Sequence, residues 1–327
     1  MNRILVIRGG AIGDFILTLP ALKALRDARP QAHIEILGYK HIAVLAENRF
    51  YAQAVRSIEY GPLARFFARD SELPAELADY FASFDLIVSY LYDPDRIFET
   101  NLRRCNVQNL ICGPARIVKG AGHAARQLAR PIEELGIRVV DVTERIFPAI
   151  EDREFAREFL ASVPQPIVAI HPGSGSDQKN WPLEKWIGLF SPSNRFADFE
   201  RLVVISGEAD KAQTDRLERE WKNRNVRFAS NLPLPRLAAV LEHSIFMGHD
   251  SGISHVAAAA GANCILLFGP TDPGVWAPKN DNVQILCAPN ARLSDLRIKQ
   301  VEAAFAAAAA AKPFPLRTAD TTASQSG

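Results

Sequence analysis

Short apolar runs alternate with stretches of helical spacing along nearly the whole chain of 327 residues. Runs at Arg3–Arg8, His33–Leu37 and Leu86–Tyr90 read as buried strands, with a helix between the first two. Leu63–Phe84 has helical spacing that Pro74 interrupts. A second series follows, with strands predicted at Ile167–His171, Arg201–Ser206, Ile245–Gly248 and Cys264–Phe268 and helices near Leu183–Phe190, Leu234–His243 and Ser251–Ala260. Such alternation predicts parallel sheets covered by helices on both faces. Between the two series, an amphipathic helix at Asp152–Ala161 runs into Val163-Pro164-Gln165-Pro166, where the prolines cannot continue a helix and mark a linker. The pattern therefore predicts an α/β chain of two Rossmann-like domains facing across a cleft, residues 1–163 and 164–312. A last helix, Leu296–Ala311, ends in six alanines, Ala306–Ala311, which favour helix but offer little to pack. Residues 313–327 carry no apolar period and read as a disordered tail.

Composition narrows the function classes. Hydrophobic residues at 48% and charged residues at 23% suit a globular protein, and a net charge of +1 provides no global field for nucleic acid. The chain has no uninterrupted apolar run of about 18 residues, the length a spanning helix needs. The apolar stretch at the N-terminus is too short for a signal sequence and leads straight into a glycine loop, so a cytoplasmic protein is expected. Four scattered cysteines, Cys105, Cys112, Cys264 and Cys287, form no CxxC pair and read as reduced thiols.

Candidate chemistry lies where strands end. Gly9-Gly10-Ala11-Ile12-Gly13-Asp14 follows the first strand and opens a helix. Asp14, in the first turn, is either a cap or an ionised general base facing the cleft. This loop is no dinucleotide fingerprint, because Arg8 stands where the first glycine of GxGxxG belongs and Gly38-Tyr39-Lys40, without an acid, follows the second strand. The loop His171-Pro172-Gly173-Ser174-Gly175-Ser176-Asp177-Gln178-Lys179-Asn180 combines small residues with one lysine, which suits a diphosphate or an ordinary turn. Gly248-His249-Asp250-Ser251-Gly252-Ile253-Ser254-His255 enters an alanine-rich helix. There Ser251 and Gly252 offer amides to a phosphate and His255 shares the face of Ser251, the plainer alternative being a cap and a core histidine. Glu208, after another strand, suits ribose hydroxyls or is a surface acid. Asp93-Pro94-Asp95 reads as a loop more readily than as a metal site, and no metal or other cofactor is expected. Arg103, Arg104, Arg116, Lys119, Arg126 and Arg130 make one region basic. If they converge, an acidic acceptor is implied; otherwise they are solvated faces.

Taken together, three blocks resemble glycosyltransferase family 9, the ADP-heptose:lipopolysaccharide heptosyltransferases. They are Gly13-Asp14-Phe15-Ile16-Leu17-Thr18-Leu19-Pro20; His171-Pro172-Gly173 through Lys179-Asn180-Trp181-Pro182; and Asp250-Ser251-Gly252-Ile253-Ser254-His255 continuing to Phe268-Gly269-Pro270-Thr271-Asp272-Pro273 and Trp276-Ala277-Pro278. The resemblance implies a GT-B fold and an inverting, metal-independent transfer. It places the acceptor on the N-terminal lobe and the nucleotide-sugar, expected to be ADP-heptose, on the C-terminal lobe. It implies Asp14 as the base and Lys179 as the cation beside the diphosphate. Ser174, Ser176, Glu208, Asp250, Ser251, Gly252 and His255 become donor contacts, while Gly13, Arg103, Arg104 and Arg126 are taken as acceptor contacts. A lipid-linked glycan acceptor and peripheral contact with the cytoplasmic face of the inner membrane follow from the same resemblance. An alternative of a different class is a sugar-nucleotide-binding protein without turnover, serving assembly or regulation; the presence of both Asp14 and Lys179 argues against it.

Overall fold

The computed structural model describes residues 2–191, 194 and 199–311. The expected tail at 313–327 lies outside them. In chain order the elements are β1 (Arg3–Arg8), α1 (Ile12–Ala28), β2 (His33–Gly38), α2 (Lys40–Ala43), β3 (Ala54–Ser57), α3 (Ala75–Ala82), β4 (Leu86–Ser89), α4 (Ile97–Arg104), β5 (Leu110–Cys112) and α5 (Ala124–Glu133). They continue as α6 (Ile150–Phe159), β6 (Val168–Ile170), α7 (Leu183–Leu189), β7 (Leu202–Ser206), α8 (Lys211–Glu220), β8 (Arg227–Ser230), α9 (Leu234–Leu241), β9 (Ile245–His249), α10 (Gly252–Ala259), β10 (Asn263–Phe268), α11 (Pro273–Trp276), β11 (Val283–Cys287) and α12 (Ile298–Ala311).

Two parallel sheets result, ordered β3-β2-β1-β4-β5 and β11-β10-β9-β6-β7-β8. Each reverses direction of winding beside its first strand, between β1 and β4 and between β6 and β9. At such switch points the loops after the strands diverge and leave a crevice for ligands. Every strand read from the apolar runs is present, within one or two residues of the expected ends. Four others, β3, β5, β8 and β11, carry intermediate or exposed positions, as edge and near-edge strands do, and produce no continuous apolar run. Pro74 acts as the N-cap of α3, and the first half of the predicted Leu63–Phe84 helix is a short 3-10 segment, Gly61–Phe67.

Strand alternation divides the core into three layers. Leu5 and Ile7 join Phe66, Phe81 and Phe98 on the outer face of the first sheet. Val168, Ile170, Met247 and Leu267 join Trp181, Trp186 and Phe305 on the outer face of the second. Between them, Ile4 and Val6 of β1 and Val203 and Ile205 of β7 belong to one continuous apolar layer that includes α1, α5, α9 and α10. At ~25 cal/mol per Å² of apolar area, this shared layer favours a fixed apposition of the two sheets. The alanines of α12 pack more than their size suggests: Ala304 and Ala309 are buried beside Phe305, where small side chains let the helix approach its sheet closely.

The chain crosses between lobes along residues 134–149, which form no regular element. Ile146 N–H donates to the Ala259 carbonyl at 2.9 Å, and α6 then packs on α9 with Arg153 paired to Glu242 at 2.8 Å. No described helix is long and apolar enough to cross a membrane.

Candidate active site

The site is built where α1 meets α10. A Cβ on Gly252 would lie 2.6 Å from Ile12 Cβ and 3.1 Å from the Gly13 nitrogen, so only glycine lets these helix starts touch. Gly13 in turn faces the His255 ring. This contact brings the loop after β1 within reach of the loop after β9.

Asp14 occupies the third position of α1. Its Oδ2 accepts from the Ala11 N–H at 2.9 Å, closing the first turn on the helix's own positive end. Gly10 has φ +97°, and a side chain there would meet Asp14 Oδ2 at 2.8 Å, so glycine is required twice over. The Asp14 side chain remains 37% exposed to the cleft. Behind it, buried Arg8 donates to the Asp14 carbonyl at 3.0 Å and to Thr18 Oγ1 at 3.0 Å, with its guanidinium 3.6 Å from Asp14 Oδ1. Burial pulls the Arg8 guanidinium below its ordinary pKa, and the charge of Asp14 opposes that fall.

The loop after β6 is pinned from below by His249, a residue with no exposed surface. Trp181 N–H donates to His249 Nε2 at 2.9 Å, so the proton sits on Nδ1 and is donated to the Gly173 carbonyl at 3.3 Å. Burial pushes this imidazole down to about 3, and it stays neutral. Both ends of the segment that carries Ser174, Ser176 and Lys179 are thereby tied to β9. Ser174 Oγ donates to the Ser176 carbonyl at 2.8 Å, and Lys179 Nζ pairs with Asp250 Oδ2 at 2.8 Å. Ser251 caps α10, accepting from Ser254 N–H at 3.4 Å. Its hydroxyl also lies 3.4 Å from His171 Nδ1, while His171 Nε2 meets Asp210 Oδ2 at 3.0 Å. Burial pushes the Asp210 carboxyl up, but the hydrogen bond and charge of His171 and the Gly207 N–H outweigh it and leave it below the usual carboxylate value.

Lys179, Asp250, Ser251, Gly252 and His255 therefore come together, with Asp14 and Gly13 facing them from the other lobe. Glu208 is exposed in the turn after β7, at the same edge of the sheet. Arg103, Arg104 and Arg126 do not meet at one site. Arg103 and Arg104 end α4, which runs back from the C-terminal edge of its sheet and carries them away from Asp14. Arg103 donates to the Val107 carbonyl and Arg104 to Asn101 Oδ1 and the Ser71 carbonyl. Arg126 holds the carbonyls of Val139 and Val140. Arg116 and Lys119 stand in the loop after β5, where Arg116 lies 4.2 Å over the ring of exposed Tyr92. Asp93 accepts from three backbone N–H groups at the start of α4, and Asp95 pairs with Arg69 at 3.7 Å.

Three participants carried no readable signal. Glu144, fully buried on the crossing segment, meets His255 Nδ1 with both oxygens at 2.8 and 2.9 Å. Burial pulls His255 down, but the charge and hydrogen bond of Glu144, joined by Asp250 and Asp14, outweigh it and hold the ring above its ordinary value. Asn280 locks the Glu144 backbone, accepting from its N–H and donating to its carbonyl. His123 caps α5 and, with Nδ1 accepting from Ala125 N–H, donates from Nε2 to the Ala277 carbonyl of the other lobe at 2.8 Å.

Known proteins resemble this chain in sequence and in fold. The chain is 25% identical over 289 residues to lipopolysaccharide heptosyltransferase 3 of Escherichia coli, covering 83% of this chain and 84% of that one. It is 29% identical over 160 residues to lipopolysaccharide heptosyltransferase 1 of an E. coli strain, 46% of this chain and 47% of the relative. Among solved structures, the family 9 glycosyl transferase of Veillonella parvula superposes with a TM-score of 0.77 at 19% identity, covering 95% of this chain and 98% of the other. E. coli heptosyltransferase WaaC with ADP superposes at 0.67 and 20% identity, covering 94% and 99%, and at these identities the likeness speaks for a shared GT-B fold. Residues 125–305, more than half of the chain, match the model of glycosyltransferase family 9 (heptosyltransferase); the helix start at Ser251–His255 and the Lys179 loop fall within that span, and the chain belongs to this family of glycosyltransferases.

Proposed function

We propose that the enzyme transfers a heptose from ADP-heptose to a lipopolysaccharide core acceptor, with inversion at the anomeric carbon and without a metal. The observation that carries this reading is the apposition of Asp14, on the N-terminal lobe, to the N-terminus of α10 through Gly13 and Gly252. The donor assignment draws on the relatives, named lipopolysaccharide heptosyltransferases, and on the similar WaaC structures bound to ADP and to an ADP-fluoroheptose.

In this reading the diphosphate lies at the first turn of α10, where the unpaired amides favour an anion. Lys179 turns from Asp250 to the diphosphate, and Ser251 adds its hydroxyl, with Ser174, Ser176 and Glu208 bordering the nucleotide. Asp14 takes the proton of an acceptor hydroxyl as its oxygen bonds to the anomeric carbon. On the opposite face the bond from that carbon to the diphosphate oxygen breaks, and its electron pair leaves with ADP. Positive charge from Lys179 and the α10 amides stabilises the departing anion, the task a divalent ion performs elsewhere. Arg116, Lys119 and Tyr92 line the acceptor side, next to a cavity of about 400 Å³ behind Leu91 and Cys112. An anionic glycan on a lipid suits that rim, with the enzyme working at the cytoplasmic face of the inner membrane.

Calorimetry with ADP-heptose and a transfer assay on heptose-deficient lipopolysaccharide test the reading. Wild type and Asp14→Asn should both bind the donor, and the variant should lose about a thousandfold in turnover, within the range for removal of a general base. Product of opposite anomeric configuration and full turnover in chelator are expected. Failure of the wild type to bind any ADP-sugar would sink the donor assignment.

A further inference from the structure

The contact between Glu144 and His255 lies where the crossing segment, α10 and α1 meet. Glu144 lies on the segment between lobes, has no exposed surface, and is clamped to the C-terminal lobe through both backbone groups by Asn280. Its two oxygens hold one ring nitrogen of His255. Nδ1 therefore carries a proton, and the ring cannot turn over. The opposite edge of the ring, Cδ2 and Nε2, faces Gly13, one residue from Asp14, and Nε2 has no hydrogen-bond partner among the described residues. A histidine one turn into α10, fixed by a buried acid from behind and open in front, is a donor aimed where the two helix starts meet.

We propose that Glu144 is a positioning residue for the transfer reaction, acting through His255 to present a proton-bearing Nε2 to the diphosphate of the donor. The proposal rests on the placement of the donor at α10 given above. The charged and titratable groups around the ring are Glu144 on the crossing segment, Asp250 before α10, Asp14 on α1, and His123 before α5 with Lys279 beyond it. Three of these are acids, and Asp250 is already paired with Lys179. Glu144 alone among the acids hydrogen-bonds the ring. An imidazolium held in this way gives a phosphate oxygen a charge-assisted hydrogen bond, stronger than a neutral ring offers. The sign follows from the raised proton affinity of His255. The ring carries charge up to a pH above its ordinary value, so ADP should bind best at low pH and lose affinity as pH climbs through the raised value. Removing the Glu144 charge leaves burial dominant and moves that loss to lower pH.

The test uses the full chain, wild type and Glu144→Gln, with ADP as probe. Glutamine keeps an oxygen for Nδ1–H and removes the charge. ADP affinity is measured by calorimetry across pH as a ratio to wild type, so that the nucleotide's own titration cancels, and the His255 ring is followed by nitrogen NMR without ligand. Expected are about tenfold weaker ADP binding at neutral pH, an unchanged acceptor KM and a His255 titration moved to lower pH. Equal ADP affinity and an equal pH profile in a folded Glu144→Gln overturn the proposal alone, whereas no ADP binding by wild type removes the donor placement as well. Should Glu144→Gln fail to fold, His255→Asn decides: its amide still donates to Glu144 but does not titrate. The pH-dependent part of the ratio must then appear in full as a difference from wild type, and a constant ratio across pH overturns the role.

Discussion

The N-termini of α1 and α10 lie side by side, follow the central strands of their two sheets, and differ in how their exposed amides are answered. At α1 the reply comes from within, since Asp14 in the first turn accepts from the Ala11 N–H. At α10 the first turn has no acid; Ser251 supplies one long cap bond at 3.4 Å, and the carboxylate just before it, Asp250, is held by Lys179. The backbone dipole is the same in both. Side chains alone make one terminus a carboxylate facing the cleft and leave the other without an acid in its first turn.

The sharpest way to break this pairing is to separate the helices. Gly252→Ala places a methyl 2.6 Å from Ile12 Cβ. We expect a loss of about 1–3 kcal/mol in stability by denaturant unfolding, as overpacking brings, and a fall in turnover of more than about tenfold because Asp14 is displaced from the donor. Unchanged unfolding and unchanged turnover would show that the contact is not tight. A narrower change, Lys179→Ala, leaves Asp250 without its cation beside the proposed phosphate position. ADP affinity should drop about tenfold by calorimetry, with the fold retained, since the pair is partly exposed and contributes little to stability. If affinity holds, the α10 amides bind the anion unaided. The smallest effect is expected at Arg103→Ala, whose guanidinium meets the Val107 and Gln108 carbonyls far from the cleft; turnover should stay within about twofold, and a larger loss would mean that α4 reaches the acceptor.

Much of the architecture was legible along the chain because buried parallel strands are continuous apolar runs, as β1, β7, β9 and β10 are. Edge strands such as β3 and β11 expose alternate or intermediate positions and blend with loops. Asp14, Lys179 and Ser251 could be singled out because each sits in a glycine- or serine-bearing loop where a strand ends, a local pattern with a local cause. Arg103, Arg104 and Arg126 were grouped by proximity in sequence, yet a helix carries its two ends to opposite edges of a sheet, and their donors serve nearby carbonyls.

Local order thus dictated the two sheets, their loops and the types of residue at the strand ends. Pairing of the lobes was decided only in three dimensions. Glu144 stands in a segment without periodicity, 111 residues from His255, and His123 lies 154 residues from the carbonyl it holds. Which buried acid meets which imidazole depends on how two independently wound sheets dock through their shared apolar layer, and no spacing along one chain encodes a distance across that layer.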